Sequence, residues 1–371
     1  MESTRKYFQT LMALSAEQPF VLRAHPLAWD DAAEMDRLVE MAERSGVVAW
    51  CFHRLLQQEG LAQELPLLAE RMKKRYMAIL IDNQQRLRLY HHLKQLFDAH
   101  DIPFVLLKGM ALAFTVYPDE ALRPMGDLDL LVPPKDVLRA RDLLLQEGAR
   151  SSHVPMSDWH ELHNAHVRAM VLPPFKYLIE IHSKLYATGS PYLPKARRWQ
   201  ELATEKQGSM GTFPVLREAW LLYHLCTHLY YGYQMGGLRL GWLVDVARVL
   251  EQAEDAAALV EETLALHKPA RKALVRTLGW VQPLTSTGVQ RALEAWRVEF
   301  VDFPSLGIFM SAKGEEDLHR LIVLRNLWHT PGLKNKLLGV WYQVFPSEAY
   351  MRHYFGEGPW WRRHLKRWGW S

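Results

Sequence analysis

The chain has 371 residues, of which 49% are hydrophobic and 23% charged, and its formal net charge is +4. This composition is typical of a soluble globular protein of two or three domains, and so small a charge excludes a global basic field as the basis of polyanion binding. The two cysteines, Cys51 and Cys226, exclude a disulfide-stabilised scaffold, and no apolar run reaches the roughly 18 residues of a transmembrane helix. The apolar run at 8–16 is too short and polar for a signal peptide, so we expect a cytoplasmic protein.

Helical patterns dominate the first part of the chain. Leu, Met and Val recur at spacings of three and four within residues 35–43 and 47–56, which is typical of amphipathic helices. We therefore predict an N-terminal helical cap over residues 1–85. A long helix from about Leu68 to His100 leads out of this cap.

A strand near residues 104–107 is predicted to end in a Lys108-Gly109 turn, followed by a helix that begins near Met110. Glycine lets the backbone approach a ligand closely, and the free amides at a helix N-terminus attract anions. Lys108 adds a formal positive charge at the same place. The alternative for Lys108 is a strand-end lysine that reaches water.

A second strand pattern, Arg123-Pro-Met-Gly-Asp-Leu-Asp-Leu-Leu-Val, contains Asp127 and Asp129. Side chains two apart on a strand point to the same face, so both carboxylates can bind one divalent ion. The alternative is an exposed strand end with two solvated carboxylates. Arg123 is a candidate phosphate ligand because its guanidinium donates in a rigid fork. Its alternative partner is Asp119 or Glu120, in a salt bridge.

A third strand pattern, residues 176–182, places Glu180 and His182 on one face. Glu180 supplies a third carboxylate, and His182 is predicted to orient a phosphate or an acceptor group. Strands and helices alternate from residue 86 to 190, and this order predicts a small mixed sheet with helices on one side.

Other histidines are weaker candidates for metal binding. His160, His163 and His166 lie in a polar segment and are expected to be solvated. His224 and His228 are expected either to pack between helices or to face the cleft. Asp245 is expected either to contact a substrate or, as the alternative, to form an ion pair with Arg239 or Arg248.

Residues 191–371 are predicted to form a C-terminal helical domain. Helices are expected from Pro214 to Tyr231 and from Leu238 to Ala253. The first is expected to begin at Pro214 because proline is favoured at helix starts.

The domain ends in a tail rich in Trp and Arg, residues 359–370. It combines cations with indoles, which suits membrane or nucleic-acid contact, aided by Arg320, Arg325, Lys334 and Lys336. The alternative is a helix whose tryptophans dock on the domain.

Three motifs in this order carry a resemblance: Leu-Lys-Gly at 107–109, Arg-x-x-x-Asp-x-Asp-Leu-Leu-Val at 123–132, and Glu-Ile-His-x-x-Leu at 180–185. Together they resemble the uncharacterised bacterial nucleotidyltransferases of the DNA polymerase beta-like superfamily, over roughly residues 85–355. The resemblance implies an α+β fold, in which a mixed-sheet nucleotidyltransferase core is flanked by N-terminal and C-terminal helical regions.

The resemblance also implies an activity. It implies an enzyme that transfers a nucleoside monophosphate from a nucleoside triphosphate such as ATP to a hydroxyl of an RNA, protein or small-molecule acceptor. Asp127, Asp129 and Glu180 would be the catalytic residues and would hold two Mg²⁺ ions, or Mn²⁺, while Lys108, Gly109, Arg123 and His182 would bind the nucleotide. Active relatives carry Gly-Ser where this chain has Lys108-Gly109-Met110. The alternative is therefore a catalytically degenerate protein that acts as a binding or regulatory module.

Overall fold

The structure is a computed structural model that describes residues 2–151, 157–194, 199–298 and 324–367. Helices and a mixed set of parallel and antiparallel strands confirm the predicted α+β class. None of the described helices is both long and apolar enough to cross a membrane.

The helices and strands have the following bounds. The helices are α1 (Glu2–Ser15), α2 (Ala32–Arg44), α3 (Val48–Gln57), α4 (Leu61–Glu64), α5 (Pro66–Asp98), α6 (Lys108–Thr115), α7 (Val137–Gln146), α8 (Asp158–His163), α9 (Trp199–Leu202), α10 (Glu218–Gln234), α11 (Leu240–Gln252), α12 (Ala256–Leu266), α13 (Arg271–Val281), α14 (Thr287–Ala295), α15 (Leu333–Val344), α16 (Glu348–Phe355) and α17 (Trp360–Arg367). The strands are β1 (Val105–Leu106), β2 (Leu128–Leu131), β3 (Arg150–Ser151), β4 (Met170–Val171), β5 (Leu178–His182), β6 (Ala203–Gly208) and β7 (Gly211–Leu216).

The N-terminal helices α2 and α3 agree with the prediction from periodicity, and α5 agrees with the predicted long helix. Helix α2 begins where the Asp31 carboxylate accepts hydrogen bonds from the amides of Ala33 and Glu34, which satisfies donors that have no partner within the helix. Helix α5 starts at Pro66, a residue favoured in the first turn because it lacks an amide hydrogen.

The chain divides into two compact units. The first comprises Met1–Arg88, Leu106–Met125 and Pro194–His319. In it, β7 pairs in parallel with β1, with Leu106 opposite Val215, and antiparallel with β6. Helices α10 to α13 pack on one another around fully buried side chains such as Tyr223 and Trp280. The three predicted domains, 1–85, 86–190 and 191–371, stay a prediction.

The predicted helix start at Pro214 was wrong. Pro214 lies in β7, opposite Glu205 of β6, and the helix begins at Glu218. Strands β6 and β7 form a hairpin whose loop is Ser209-Met210. A side-chain carbon on Gly208 would lie 1.9 Å from the Phe114 carbonyl oxygen, so this hairpin needs a glycine where it meets α6.

The second unit comprises Leu89–Val105, Gly126–Leu193 and Arg320–Ser371. Its strands follow the order β3-β4-β5-β2, with β5 parallel to β2 and antiparallel to β4. Every residue of β2 is buried, as expected for a strand covered on both faces. Asp129, which lies within β2, is therefore a buried polar residue.

Candidate active site

Two carboxylates face each other across the parallel pair β2 and β5. The register pairs Asp129 with Glu180 and Leu131 with His182. Opposite residues on neighbouring strands share a face, and so do residues two apart on one strand. Asp129, Glu180 and His182 therefore meet on one side of the sheet.

The contacts among these three side chains are direct. The His182 Nε2–H donates to Asp129 Oδ1 over 3.0 Å, and the same nitrogen lies 3.5 Å from Glu180 Oε2. The side chains of Asp129 and His182 are 8% and 3% exposed, whereas that of Glu180 is 18% exposed. We call Asp129, Glu180 and His182 the acidic cluster. Its most accessible member is Glu180.

His166 extends the acidic cluster, which the sequence did not indicate. It forms an isolated antiparallel bridge with His182, its Nε2 lies 3.8 Å from Glu180 Oε2, and the two imidazole rings are 5.0 Å apart. Burial acts to raise the pKa of Glu180, but the hydrogen bond from His182 and the charge interaction with His166 outweigh it, so this pKa is lowered. Glu180 is held in its ionised form, the form that binds cations.

The donor set of the acidic cluster fits a divalent cation. Each of the three residues offers one ligand atom, and these atoms lie within 4.8 Å of one another. The 3.0 and 3.5 Å separations both join a carboxylate oxygen to His182 Nε2, the hydrogen-bond donor. The oxygens of Asp129 and Glu180 are therefore the ligand atoms that are ready to bind a cation. Carboxylate oxygens suit Mg²⁺, whereas a His182 imidazole without its Nε2 proton would add a nitrogen ligand that suits Mn²⁺ or Zn²⁺. Within the described part of the chain, no other three such side chains meet in this way.

Asp127 lies one residue before β2 and is half-buried. The prediction placed it beside Asp129 and Glu180 as a metal ligand. The structure groups His182 with those two carboxylates instead, and Asp127 is outside this group of three. Its role as a ligand stays a prediction.

The residues predicted to bind the nucleotide, apart from His182, lie in the first unit. Lys108 is the first residue of α6, two residues earlier than the predicted helix start, and its φ of +44° is unusual for a residue with a side chain. A side-chain carbon on Gly109 would lie 3.1 Å from Met125 Cγ and 3.2 Å from Arg123 Nη1. Gly109 therefore allows α6 to pack closely against residues 123–125.

Arg123 forms an ion pair that neither sequence alternative named. Its Nε and Nη2 donate to the two oxygens of Asp245 over 3.1 and 2.7 Å, in a bidentate geometry. Asp245 is only 1% exposed and also accepts from the Tyr117 hydroxyl over 2.8 Å. Burial, and then the charge of Asp245, raise the pKa of Tyr117 well above its usual value. Asp119, Glu120, Arg239 and Arg248 were thus the wrong partners in the salt-bridge alternatives: Arg123 and Asp245 pair with each other.

The expectation of solvated histidines was also wrong. His160 is buried, its Nδ1 lies 3.0 Å from Ser157 Oγ, and burial lowers its pKa. His163 stacks on Trp159 with ring centroids 3.9 Å apart. His224 is buried in α10, as the packing interpretation predicts.

Comparisons with known proteins identify the family of the chain. A sequence model of a family described as an uncharacterised nucleotidyltransferase matches residues 31–280. Among solved structures, the chain is similar to an antigenic nucleotidyltransferase-like protein from Paracoccidioides brasiliensis, with 14% identity, a TM-score of 0.25, and coverage of 54% of this chain and 92% of that one. No curated protein matches the chain. The family match spans more than half of the 371 residues and includes the acidic cluster, so the chain belongs to the uncharacterised nucleotidyltransferase family.

Proposed function

We propose that this protein is a Mg²⁺-dependent enzyme that transfers a nucleoside monophosphate from a nucleoside triphosphate to a hydroxyl of an acceptor. The observation that carries the proposal is the register of β2 and β5, which sets Asp129 opposite Glu180 in a family of nucleotidyltransferases. Two like charges on buried strands are costly, and a bound cation offsets that cost.

Each residue of the acidic cluster has a distinct task in this proposal. Asp129 and Glu180, with Asp127, would hold the cations, and Glu180, the most exposed of the cluster, would help to take the proton of the acceptor hydroxyl. His182 orients the Asp129 carboxylate through its 3.0 Å hydrogen bond. Bound divalent ions stabilise the attacking and leaving oxygens of an in-line displacement.

The triphosphate is assigned to the start of α6. Amides at a helix N-terminus attract anions, and Lys108, the first residue of this helix, adds a charge. Arg123 is engaged by Asp245, so we assign it to positioning residues 123–125 beside Gly109. ATP as the donor and the cytoplasm as the compartment belong to the same proposal, and the two free cysteines support a reducing compartment.

Calorimetry tests the metal assignment. Titration of each nucleoside triphosphate with Mg²⁺, with Mn²⁺ and with a chelator should give binding only when a cation is present. Glu180→Gln keeps the shape of the side chain but removes its charge, and should abolish this cation-dependent binding. Glu205→Gln, on the exposed side of β6, is the matched control and should bind as the unmodified protein does. Equal affinity with and without the chelator would disprove the metal site.

A catalytically degenerate binding module is the second candidate function. The observation that favours it is the bond from His182 to Asp129, which compensates part of the cluster's charge without a cation. The Lys108-Gly109-Met110 turn, in place of Gly-Ser, points the same way. Incubation with labelled triphosphates, Mg²⁺ and cell extract separates the two functions: transfer of label to any fraction supports the enzyme, and nucleotide binding without transfer supports the module.

A further inference from the structure

The C-terminal part of the second unit presents apolar side chains to solvent along one face of α15. Leu333, Leu337, Trp341 and Val344 are between 36% and 73% exposed. Their spacings of four, four and three residues place them in one stripe, because a helix turns once in about 3.6 residues.

The opposite face of α15 is the one that packs. Gly339 is buried, and a side-chain carbon there would lie 2.3 Å from Leu327 and 3.1 Å from Trp159. Tyr342 stacks on the same Trp159, with ring centroids 5.4 Å apart. The helix therefore rests on its own unit by one side, and the exposed stripe is its outer side.

Helix α17 also exposes apolar side chains, which the docking alternative did not expect. Trp360 and Trp361 are 54% and 58% exposed, whereas Arg363 and His364 are 3% and 2% exposed. Arg363 is held by Glu348 and by the Gly358 carbonyl oxygen. The sequence alternative, in which these tryptophans dock while the basic residues face water, was wrong for Trp360 and Trp361. Trp368 and Trp370 lie outside the described residues, as does Arg320.

Phe345 joins the two helices. Its ring centroid lies 4.3 Å from that of Trp341 and 5.8 Å from that of Trp360. One continuous surface results, which we call the C-terminal apolar surface: Leu333, Leu337, Trp341, Val344, Trp360 and Trp361.

Positive charge is concentrated in the segment that carries this surface. Residues 324–367 contain eight Lys and Arg against two Glu, a formal charge of +6, whereas the whole chain carries +4. Lys334 and Lys336 flank the stripe of α15 on its two sides. Both acidic residues are engaged, since Glu348 pairs with Arg352 and Arg363, and Glu357 lies 3.9 Å from Arg352.

We propose that the C-terminal apolar surface docks on an anionic lipid bilayer, with α15 and α17 lying in the headgroup layer. Apolar side chains with tryptophan enter the acyl boundary while flanking Lys and Arg meet lipid phosphates, as in other interfacial helices. A helix of 12 residues is about 18 Å long, shorter than the bilayer core, so α15 lies on the membrane. This interaction is additional to the proposed transfer reaction. It would bring the protein, and with it that reaction, to a membrane surface.

Two other partners match the surface less well. Nucleic-acid bases stack on aromatic rings, but Leu333, Leu337 and Val344 have aliphatic side chains on which a base cannot stack. A second copy of the chain would bring two surfaces of the same positive charge together, which is repulsive. An anionic bilayer satisfies both the aliphatic and the basic residues.

Vesicle sedimentation of the full chain tests the proposal. Vesicles of phosphatidylcholine alone should leave the protein in solution, and vesicles with about a third phosphatidylglycerol should pellet it. Leu337→Glu should weaken binding by about 10-fold or more, since it places a charge in the acyl boundary. Leu56→Glu is the matched control, because Leu56 is 57% exposed and Leu337 61%, and it should change nothing.

A charge variant provides an independent measurement. Lys334→Ala with Lys336→Ala should weaken binding by about 10- to 30-fold, at about 1 kcal/mol for each lost charge near an anionic surface. Lys73→Ala with Lys74→Ala, on exposed positions of α5, is the control. Equal loss in Leu337→Glu and Leu56→Glu, no pelleting with anionic vesicles, dimerisation abolished by Leu337→Glu, or binding of RNA in place of vesicles would each overturn the proposal. Sedimentation needs neither nucleotide nor metal, so its outcome is independent of the transfer reaction.

Discussion

Individual residues carry backbone strain and charge at the places where chemistry is proposed. Lys108 has φ +44°, a conformation that glycine adopts freely and that costs other residues free energy. Strained residues persist where the surrounding structure enforces them, often at functional sites. The strain and the charge of Lys108 can be separated by choosing the replacement.

Lys108→Gly and Lys108→Ala should weaken binding of a triphosphate with Mg²⁺ equally, by about 1 to 3 kcal/mol, the range for a lost charge-assisted hydrogen bond. They should differ in stability: the glycine variant should be up to about 1 kcal/mol more stable than the alanine variant, because only alanine keeps the strain. Calorimetry and urea unfolding measure the two effects. An unchanged dissociation constant in both variants would remove Lys108 from the binding site.

Asp129 combines two roles that a pair of variants can separate. Asp129→Asn keeps an acceptor for the His182 Nε2–H but lacks the negative charge, so it should fold normally and lose cation-dependent nucleotide binding. Asp129→Ala should also lose about 1 to 3 kcal/mol of unfolding free energy, because a buried donor loses its acceptor. Thermal unfolding and calorimetry distinguish them. Cation-dependent binding that survives in Asp129→Asn would contradict the site.

What the sequence predicted at this scale follows from local periodicity. Asp127 with Asp129, and Glu180 with His182, were each expected to share a strand face. The register of β2 and β5 brings one member of the first pair, Asp129, to both members of the second. The partner of Arg123 could not be predicted, because it lies 122 residues away, in a different element. Asp119 is closer to Arg123 in the sequence, but in the folded chain Arg123 pairs with the buried carboxylate of Asp245.

At the scale of elements, long helices were easier to predict than the hairpin β6–β7. Helix α5 is rich in good helix formers such as Leu, Gln and Arg over many turns. Pro214, by contrast, is compatible both with a first helical turn and with a strand. The sequence does contain a signal for this hairpin that the prediction missed. Gly208 and Gly211 are separated by two residues, and a two-residue loop is the commonest connection in a β-hairpin. Parallel pairing of Leu106 with Val215 depends on a distant contact that no local pattern contains.

The segment around residue 123 is fixed by two other elements of the first unit. From α5, the Asn83 side-chain amide donates to the carbonyl oxygens of Glu120 and Arg123, over 2.6 and 2.9 Å. From α11, Asp245 holds the Arg123 guanidinium. A carboxylate on α11 therefore controls where the residues beside Gly109 lie.

Asp245→Asn should destabilise the protein by about 3 kcal/mol, because it leaves the poorly exposed Arg123 without its counter-charge. Tyr117→Phe is the control: it removes only a neutral donor to the same carboxylate, and should cost about 1 kcal/mol. Urea unfolding gives both values. Equal costs for the two variants would show that the ion pair is not the main contribution.

Over the whole molecule, charge is distributed unevenly along the chain. The segment that carries the C-terminal apolar surface has a formal charge of +6, and the remaining residues together are slightly acidic, since the chain totals +4. The match to the nucleotidyltransferase family ends at residue 280, before this segment. The proposed attraction to an anionic surface therefore depends on a part of the chain outside the family match, whereas the proposed transfer chemistry lies within that match.

A chain that ends at Gly358 tests this division. The removed residues 359–371 contain four Lys and Arg and no acidic residue, so the formal net charge falls from +4 to zero. The shortened protein should keep cation-dependent triphosphate binding, because Asp129, Glu180 and His182 remain, and should no longer pellet with anionic vesicles. For the unmodified protein, pelleting should weaken steeply as salt rises, because screening shortens the reach of the exposed charges. A shortened chain that is insoluble or melts at a much lower temperature would show instead that α17 stabilises the fold through Arg363 and through the contact of His364 with Phe345.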